Sequence, residues 1–174
     1  MIRLACEKDI PAVADTYRSL LTYEKVNGKS SNWELDVYPM IRVPEEKIPL
    51  KQMYVLEEKG EICASMVLNH DQAEEYNDIP WLYPAEEALV VHTLCVSPEK
   101  AGHGYGTEMV HYAQRFAVEN EDRVIRLDTY AHNEPAKSLY IRNGFRIAGY
   151  GEILLQDLIQ EDQVYLEYKV GEDK

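Results

Sequence analysis

Residues 88–107 read ALVVHTLCVSPEKAGHGYGT, and they set the arrangement of the rest of the chain. The first nine, Ala88–Val96, are rich in β-branched side chains and apolar on both faces, the pattern of a strand buried in the middle of a sheet. A glycine-rich loop follows, Ala101-Gly102-His103-Gly104-Tyr105-Gly106-Thr107. From about Gly104 a helix begins, because Tyr105, Met109, Tyr112, Ala113, Phe116 and Ala117 fall on one face. Glycines allow a backbone to approach a bulky anion closely, and the unpaired amides at a helix start point at it. Strand, loop and helix together predict a phosphate cradle that needs no side-chain charge.

The elements on either side give one mixed α/β order. Ile2 and Leu4 begin a short strand. Asp9 is a good N-cap, Pro11 is tolerated in a first turn, and Ile10, Val13, Ala14, Tyr17, Leu20 and Leu21 form an apolar stripe at helical spacing. Residues 27–49 carry no readable period. Strands at 52–57 and 62–68 flank Lys59-Gly60 as a hairpin. Residues 70–87 form an acidic, aromatic-bearing loop. Beyond the glycine loop, 124–129 reads as a strand and Asn133 caps a short helix with Ala136, Leu139 and Tyr140 inward, ended by Asn143-Gly144. Strands at 145–151 and 163–170 close the chain, and no repeat or low-complexity segment interrupts it.

Charge excludes several partners. Among 174 residues, 31 acidic and 18 basic side chains give a formal charge of −13. Nucleic acid as a main partner needs clustered Lys and Arg, and anionic membrane surfaces need the same. The acidity is uneven: 51–100 carries ten acidic and three basic groups, whereas 101–150 carries six of each. The cradle therefore lies in a locally neutral segment. Cys6, Cys63 and Cys95 are odd in number and widely spaced, against a disulfide framework. The first residues carry early charges unlike a signal peptide, and no apolar run is long enough to cross a bilayer. A soluble, cytoplasmic, single domain over 1–174 is the expectation.

Three kinds of phosphate loop compete for the glycines. A Walker loop would end in Gly-Lys-Ser/Thr, and none is present. A dinucleotide fingerprint would place glycine at 107, which is Thr, and its first glycine directly after the strand, although Asp128 lies at a fitting distance. The third is the pyrophosphate loop of acetyl-CoA-dependent N-acetyltransferases. Leu94-Cys95-Val96-Ser97-Pro98 followed by the loop resembles the first conserved motif of the GNAT family of N-acetyltransferases. Asn133-Glu134-Pro135-Ala136-Lys137-Ser138-Leu139-Tyr140 with Asn143-Gly144-Phe145 resembles its second. Order and spacing agree over 52–150. One departure is Ala101, where the family usually has Arg or Gln, with Lys100 beside it.

The resemblance implies an α/β fold whose mixed central sheet of six to seven strands is flanked by helices and splayed at the central strand. It implies acetyl-CoA as co-substrate, held by the backbone of Leu94, Cys95 and Val96, by the loop Ala101, Gly102, His103, Gly104, Tyr105, Gly106 and Thr107, and by Asn133 and Tyr140. One strand amide would polarise the thioester carbonyl as an oxyanion-hole donor does. Tyr140 would be the general acid that returns a proton to the leaving thiolate. For the general base the family often uses a Glu near the central strand, which points to Glu87, beside Glu86. His92 is the other candidate, in phase with Leu94 and Val96, with a hydrogen-bonded core histidine as the equal alternative. Asp128 fits a structural pairing better than catalysis, and Cys95 fits the core better than a nucleophile.

The acceptor would be a small-molecule or peptide amine. Asp71, Glu74, Glu75, Asp78, Trp81 and Tyr83 could border it with charge and aromatic faces, though such a run is more often a solvated loop. None of the five histidines has partners at a metal spacing, so no metal is expected. A closing strand such as VYLEYKV (164–170) offers a route to a homodimer. Two other classes compete with the enzyme: a non-catalytic acyl-CoA-binding sensor or regulatory module, and a nucleotide-binding protein using the same glycines.

Overall fold

Lys59 and Gly60 both take positive φ, 52° and 83°, a twist that suits a two-residue hairpin turn. They join β2 (Met53–Glu58) to β3 (Glu61–Asn69), and β1 (Ile2–Leu4) pairs antiparallel with β2. With β4 (Ala88–Val96), β5 (Val124–Tyr130), β6 (Arg146–Leu155) and β7 (Ile159–Lys169), the strands form one seven-stranded mixed sheet in the order β1-β2-β3-β4-β5-β7-β6. The helices are α1 (Ile10–Asn27), α2 (Arg42–Lys47), α3 (Tyr105–Glu119) and α4 (Glu134–Arg142). The computed structural model describes residues 1–83 and 88–171. These fall into two compact units, one of 1–29, 33–68 and 93–109, the other of 30–32, 69–92 and 110 onward.

The first unit is built on the stripe of α1. Val13 and Tyr17 pack with Met53 and Val55 of β2, Val67 of β3 and Cys95 of β4, all nearly or wholly buried. Pro11 lies in the first turn and Gly28 ends the helix with φ 102°. Asp9 stands at the N-cap position without capping. Its carboxylate is taken by the Arg3 guanidinium at 2.7 and 2.9 Å and by the Cys6 amide at 2.8 Å. The Arg3 bonds, aided by that amide, pull its pKa down to about 2. The unread 27–49 region contains α2 and a bridge between Glu34 and Tyr38.

The second unit is organised around β7. It pairs antiparallel with β5 from Val124↔Lys169 to Tyr130↔Gln163, and with β6 from Arg146↔Glu167 to Leu155↔Ile159. Both of its ladder edges are therefore used. The closing strand 164–170 has no free edge to offer a second copy, which corrects the dimer route drawn from the sequence; the outer strands of the sheet are β1 and β6. The β6–β7 hairpin runs further than expected because Gln156 and Asp157 adopt φ of 53° and 57°, so the turn falls there.

Candidate active site

The glycine loop lies wholly in the first unit. A short 3-10 turn, Pro98–Lys100, leads in, and α3 starts at Tyr105. Gly102 and Gly104 both have φ of 81°, a region that costs most side chains strain and glycine none. A Cβ at either would meet nothing within 4 Å, so backbone conformation and not crowding demands glycine here. His103 stacks on Tyr105 with centroids 5.6 Å apart, and the Tyr105 hydroxyl donates to Glu58. That bond, followed by desolvation, raises the Tyr105 pKa to about 12. Ala101 does not leave its amide free: it donates to the Pro98 carbonyl at 3.2 Å. Lys100 is likewise engaged, with Nζ 2.7 Å from Glu61. The amides left to an anion are those at and after Gly102, where the first turn of α3 has no intrahelical acceptors.

Strand β4 leads into this loop. It pairs in parallel with β5 from Ala88↔Val124 to Val90↔Arg126. Thr93 then takes φ 50°, an outlier for a β-branched residue, and its Oγ1 lies 2.5 Å from the Tyr38 hydroxyl. This inverted residue interrupts the strand alternation, so the phase argument linking His92 to Leu94 and Val96 does not carry across it. His92 is half-buried, and its Nε2 lies 2.8 Å from Asn69 Oδ1. Leu94 and Val96 are half-buried, and Cys95 is 1% exposed. Burial pushes the Cys95 thiol well above its usual pKa, which leaves it without nucleophilic thiolate at neutral pH. Glu87 and Glu86 lie outside the described residues.

The second motif belongs to the second unit. Asn133 caps α4, its Oδ1 accepting from the Ala136 amide at 3.2 Å. Tyr140 is 6% exposed and packs on Phe145 with centroids 5.6 Å apart. Burial raises its pKa well above the usual phenol value, and the Asp128 carboxylate pushes the same way. The hydroxyl therefore keeps its proton throughout the neutral range, the form a general acid requires, although raising the pKa also makes it a weaker acid.

The 70–83 loop is pinned to the sheet through buried charge. Arg126 of β5 is 1% exposed; it donates to Gln72 Oε1 at 2.6 Å and to the Tyr83 carbonyl at 2.7 Å. Its guanidinium sits 4.2 Å from the Trp81 ring centroid, and Lys169 Nζ sits 5.6 Å from that of Tyr83. The aromatics expected to receive a cationic substrate thus have cations of the chain itself. Glu167 of β7 accepts from the Leu82 amide at 2.9 Å and pairs with Arg146. Asp128 accepts from the Tyr76 hydroxyl at 2.6 Å, and burial, the largest influence, raises its pKa.

Sequence reasoning missed Glu161 and Gln163. Both lie on β7 on the face shared with Tyr165 and Glu167. Glu161 is 2% exposed and accepts from Asn32 Nδ2 at 3.2 Å and from Gln163 Nε2. Burial drives its pKa up to about 7. The alternation of polar 161, 163 and 167 with apolar Val164 and Leu166 reads as a strand with one solvated face. No pattern in the chain says that face is covered. Among the described residues no group of His, Cys, Asp and Glu is placed to hold a metal ion, and no helix is long and apolar enough to cross a membrane.

A sequence model of the acetyltransferase (GNAT) family matches residues 15–145. That is well over half of the chain, and the protein belongs to this family, whose acyl donor is acetyl-CoA. No curated relative matches it by sequence. A Staphylococcus aureus Mu50 structure, provisionally assigned as an acetyltransferase, is 28% identical with TM-score 0.74, covering 97% of this chain and 98% of that one. A GNAT-family acetyltransferase from Streptococcus agalactiae shares the fold at 19% identity and TM-score 0.81, covering 99% and 96%. A Salmonella typhimurium protein in complex with its cofactor acetyl-CoA shares it at 14% identity and TM-score 0.69, covering 99% and 95%.

Proposed function

We propose that this acetyltransferase moves the acetyl group of acetyl-CoA to a primary amine by direct attack in a ternary complex, residues 1–174 acting as one N-acetyltransferase domain. The observation that carries the reading is the glycine loop. Two left-handed glycines precede the first turn of α3, and the space above them is open to a phosphate. The amides from Gly102 to Thr107 bind the pyrophosphate, with the side chains of His103 and Tyr105 stacked beside them. Acetyl-CoA supplies the activated thioester. The backbone of Leu94, Cys95 and Val96 aligns the pantetheine arm, and one of its amides polarises the carbonyl. Asn133 holds that arm while its side chain caps α4, and Tyr140 protonates the departing thiolate.

The amine must be deprotonated before attack, because free alkylamines are mostly protonated at neutral pH. Glu87 remains the proposed base from the family pattern, and His92, held by Asn69, the second candidate. The acceptor is a small-molecule or peptide amine. Thiol release from acetyl-CoA across an amine panel tests the reading, with Tyr140→Phe as the diagnostic variant. We expect turnover to fall about a hundredfold, within the usual range for losing a general acid, with acetyl-CoA affinity preserved. Unchanged turnover would remove Tyr140 from the mechanism. Saturable acetyl-CoA binding with no acetylated amine would favour a sensor module instead.

A further inference from the structure

Tyr38 belongs to the 27–49 stretch in which the sequence shows no period, yet its side chain is placed with care. The segment closes on itself: the Tyr38 amide donates to the Glu34 carbonyl at 3.0 Å, and the Glu34 amide to the Tyr38 carbonyl at 3.2 Å. The Tyr38 ring meets Trp33 edge-on, with centroids 5.6 Å apart, and Trp33 packs on the core cluster around Val13, Tyr17 and Met53. A tyrosine fixed at both backbone and ring brings its hydroxyl to one place. That place is 2.5 Å from Thr93 Oγ1.

Thr93 is the residue of β4 that needs holding. Its φ of 50° crowds a branched side chain against the backbone, and such conformations persist only where the surroundings impose them. Because the side chain branches at Cβ, fixing Oγ1 fixes χ1 and restricts the backbone with it. The Tyr38 hydroxyl grips the one polar atom through which that control can be exerted.

An inverted residue in a strand re-aims the backbone that follows it. The Ser97 amide donates to the Cys63 carbonyl of β3 at 2.9 Å. Counting back along the strand from Ser97 places the Val96 and Leu94 amides on the edge away from β3. The pairing of β4 with β5 ends at Val90. The Thr93–Leu94 peptide therefore opens the stretch that serves a ligand, and the torsion at Thr93 sets its direction. We propose that Tyr38 is a positioning residue for acetyl transfer: its hydroxyl holds Thr93 inverted and so aims the Leu94 amide at the thioester carbonyl. The proposal rests on the acetyl-transfer reading above and adds to it a residue that touches neither donor nor acceptor.

The test is a double-mutant cycle on the full chain with two readouts. One is thiol release with a saturating amine. The other is the Leu94 amide signal of 15N-labelled protein on adding the ketone analogue of acetyl-CoA, in which CH2 replaces the thioester sulfur. Losing an oxyanion donor outright costs about 10²–10³-fold in kcat, and a donor that is mis-aimed part of the time costs less. Tyr38→Phe should lower kcat about tenfold and leave KM for acetyl-CoA within about twofold. Thr93→Val, which keeps the branch and loses Oγ1, should match it, and it decides the matter if Tyr38→Phe does not fold. Glycine takes positive φ as readily as negative, so in a Thr93→Gly background Tyr38→Phe should change kcat less than about twofold. The Leu94 shift should follow the same pattern, reduced by Tyr38→Phe in the wild-type background and unmoved by it beside Thr93→Gly. Wild-type kcat in Tyr38→Phe or Thr93→Val overturns the proposal. So does a loss that persists in full beside Thr93→Gly, because Tyr38 would then act on a ligand directly. A loss confined to KM for the amine also overturns it, by placing the hydroxyl on the acceptor. Each of these sinks this assignment alone. If the wild type releases no thiol with any amine, the acetyl-transfer reading fails, and the Leu94 shift still decides whether Tyr38 aims that amide.

Discussion

Replacing Glu161 by Gln should make the fold less sensitive to pH and more stable above neutrality. Unfolded, Glu161 loses its proton near pH 4.5; folded, burial holds it to about 7. Between those values the native state binds more protons than the unfolded chain, so stability falls as pH rises. The contribution is complete below about 4.5 and gone above about 7. Roughly 2.5 pH units at about 1.36 kcal/mol per unit set a ceiling near 3 kcal/mol. In Glu161→Gln the new amide cannot ionise, and it keeps both contacts if the Gln163 amide turns over, since Gln163 has a bare oxygen to offer. Urea denaturation of both proteins from pH 5 to pH 8.5 reads the effect. The difference in stability, variant minus wild type, should grow by about 2–3 kcal/mol from pH 5 to pH 8.5. Taking the difference between two pH values cancels most groups that titrate alike in both proteins. Parallel curves would overturn this account, because a carboxylate that pays no desolvation penalty in the fold has no raised pKa.

Gly104→Ala places a side chain at φ 81° and should cost about 1 kcal/mol of stability by chemical denaturation. Calorimetric titration should show acetyl-CoA affinity falling at least tenfold, and unchanged affinity would detach the loop from cofactor binding. Asn133→Ala removes the acceptor of the Ala136 amide and should lower stability by about 1 kcal/mol, with Asn133→Asp recovering most of it in the same assay. Arg126→Met leaves Gln72, the Tyr83 carbonyl and Glu167 without the buried guanidinium. We expect a loss of about 3 kcal/mol and faster hydrogen exchange in the 70–83 loop; an unchanged exchange rate there would mean that Arg126 does not pin it.

Most of the architecture was legible because it rests on local rules. Ala88–Val96 is a strand with the bounds read from its apolar run, and Lys59-Gly60 and Asn133 do what turn and cap chemistry require. The failures share a cause. Asp9 reads as a cap, but Arg3 lies close enough in the fold to claim its carboxylate. The 164–170 strand reads as a closing edge, but β6 folds back beyond it and uses its second ladder. The alternation through His92, Leu94 and Val96 assumes a regular strand, and Thr93 at φ 50° breaks it.

The family could be read from the chain alone: the glycine loop and the Asn133–Tyr140 helix are contiguous motifs, carried by backbone conformation and capping that depend on neighbours along the sequence. The chemistry of β7 could be read only from the fold. Glu161, Gln163 and Glu167 alternate with apolar residues as if facing water. Ile79 and Trp81 instead pack with Tyr76 and Tyr165 over that face, and Gly149 and Gly151 of β6 admit the loop, Ile79 lying near both and Pro80 against Gly149. A carboxylate's pKa depends on what excludes water from it, and for Glu161 that cover comes from residues far away in sequence.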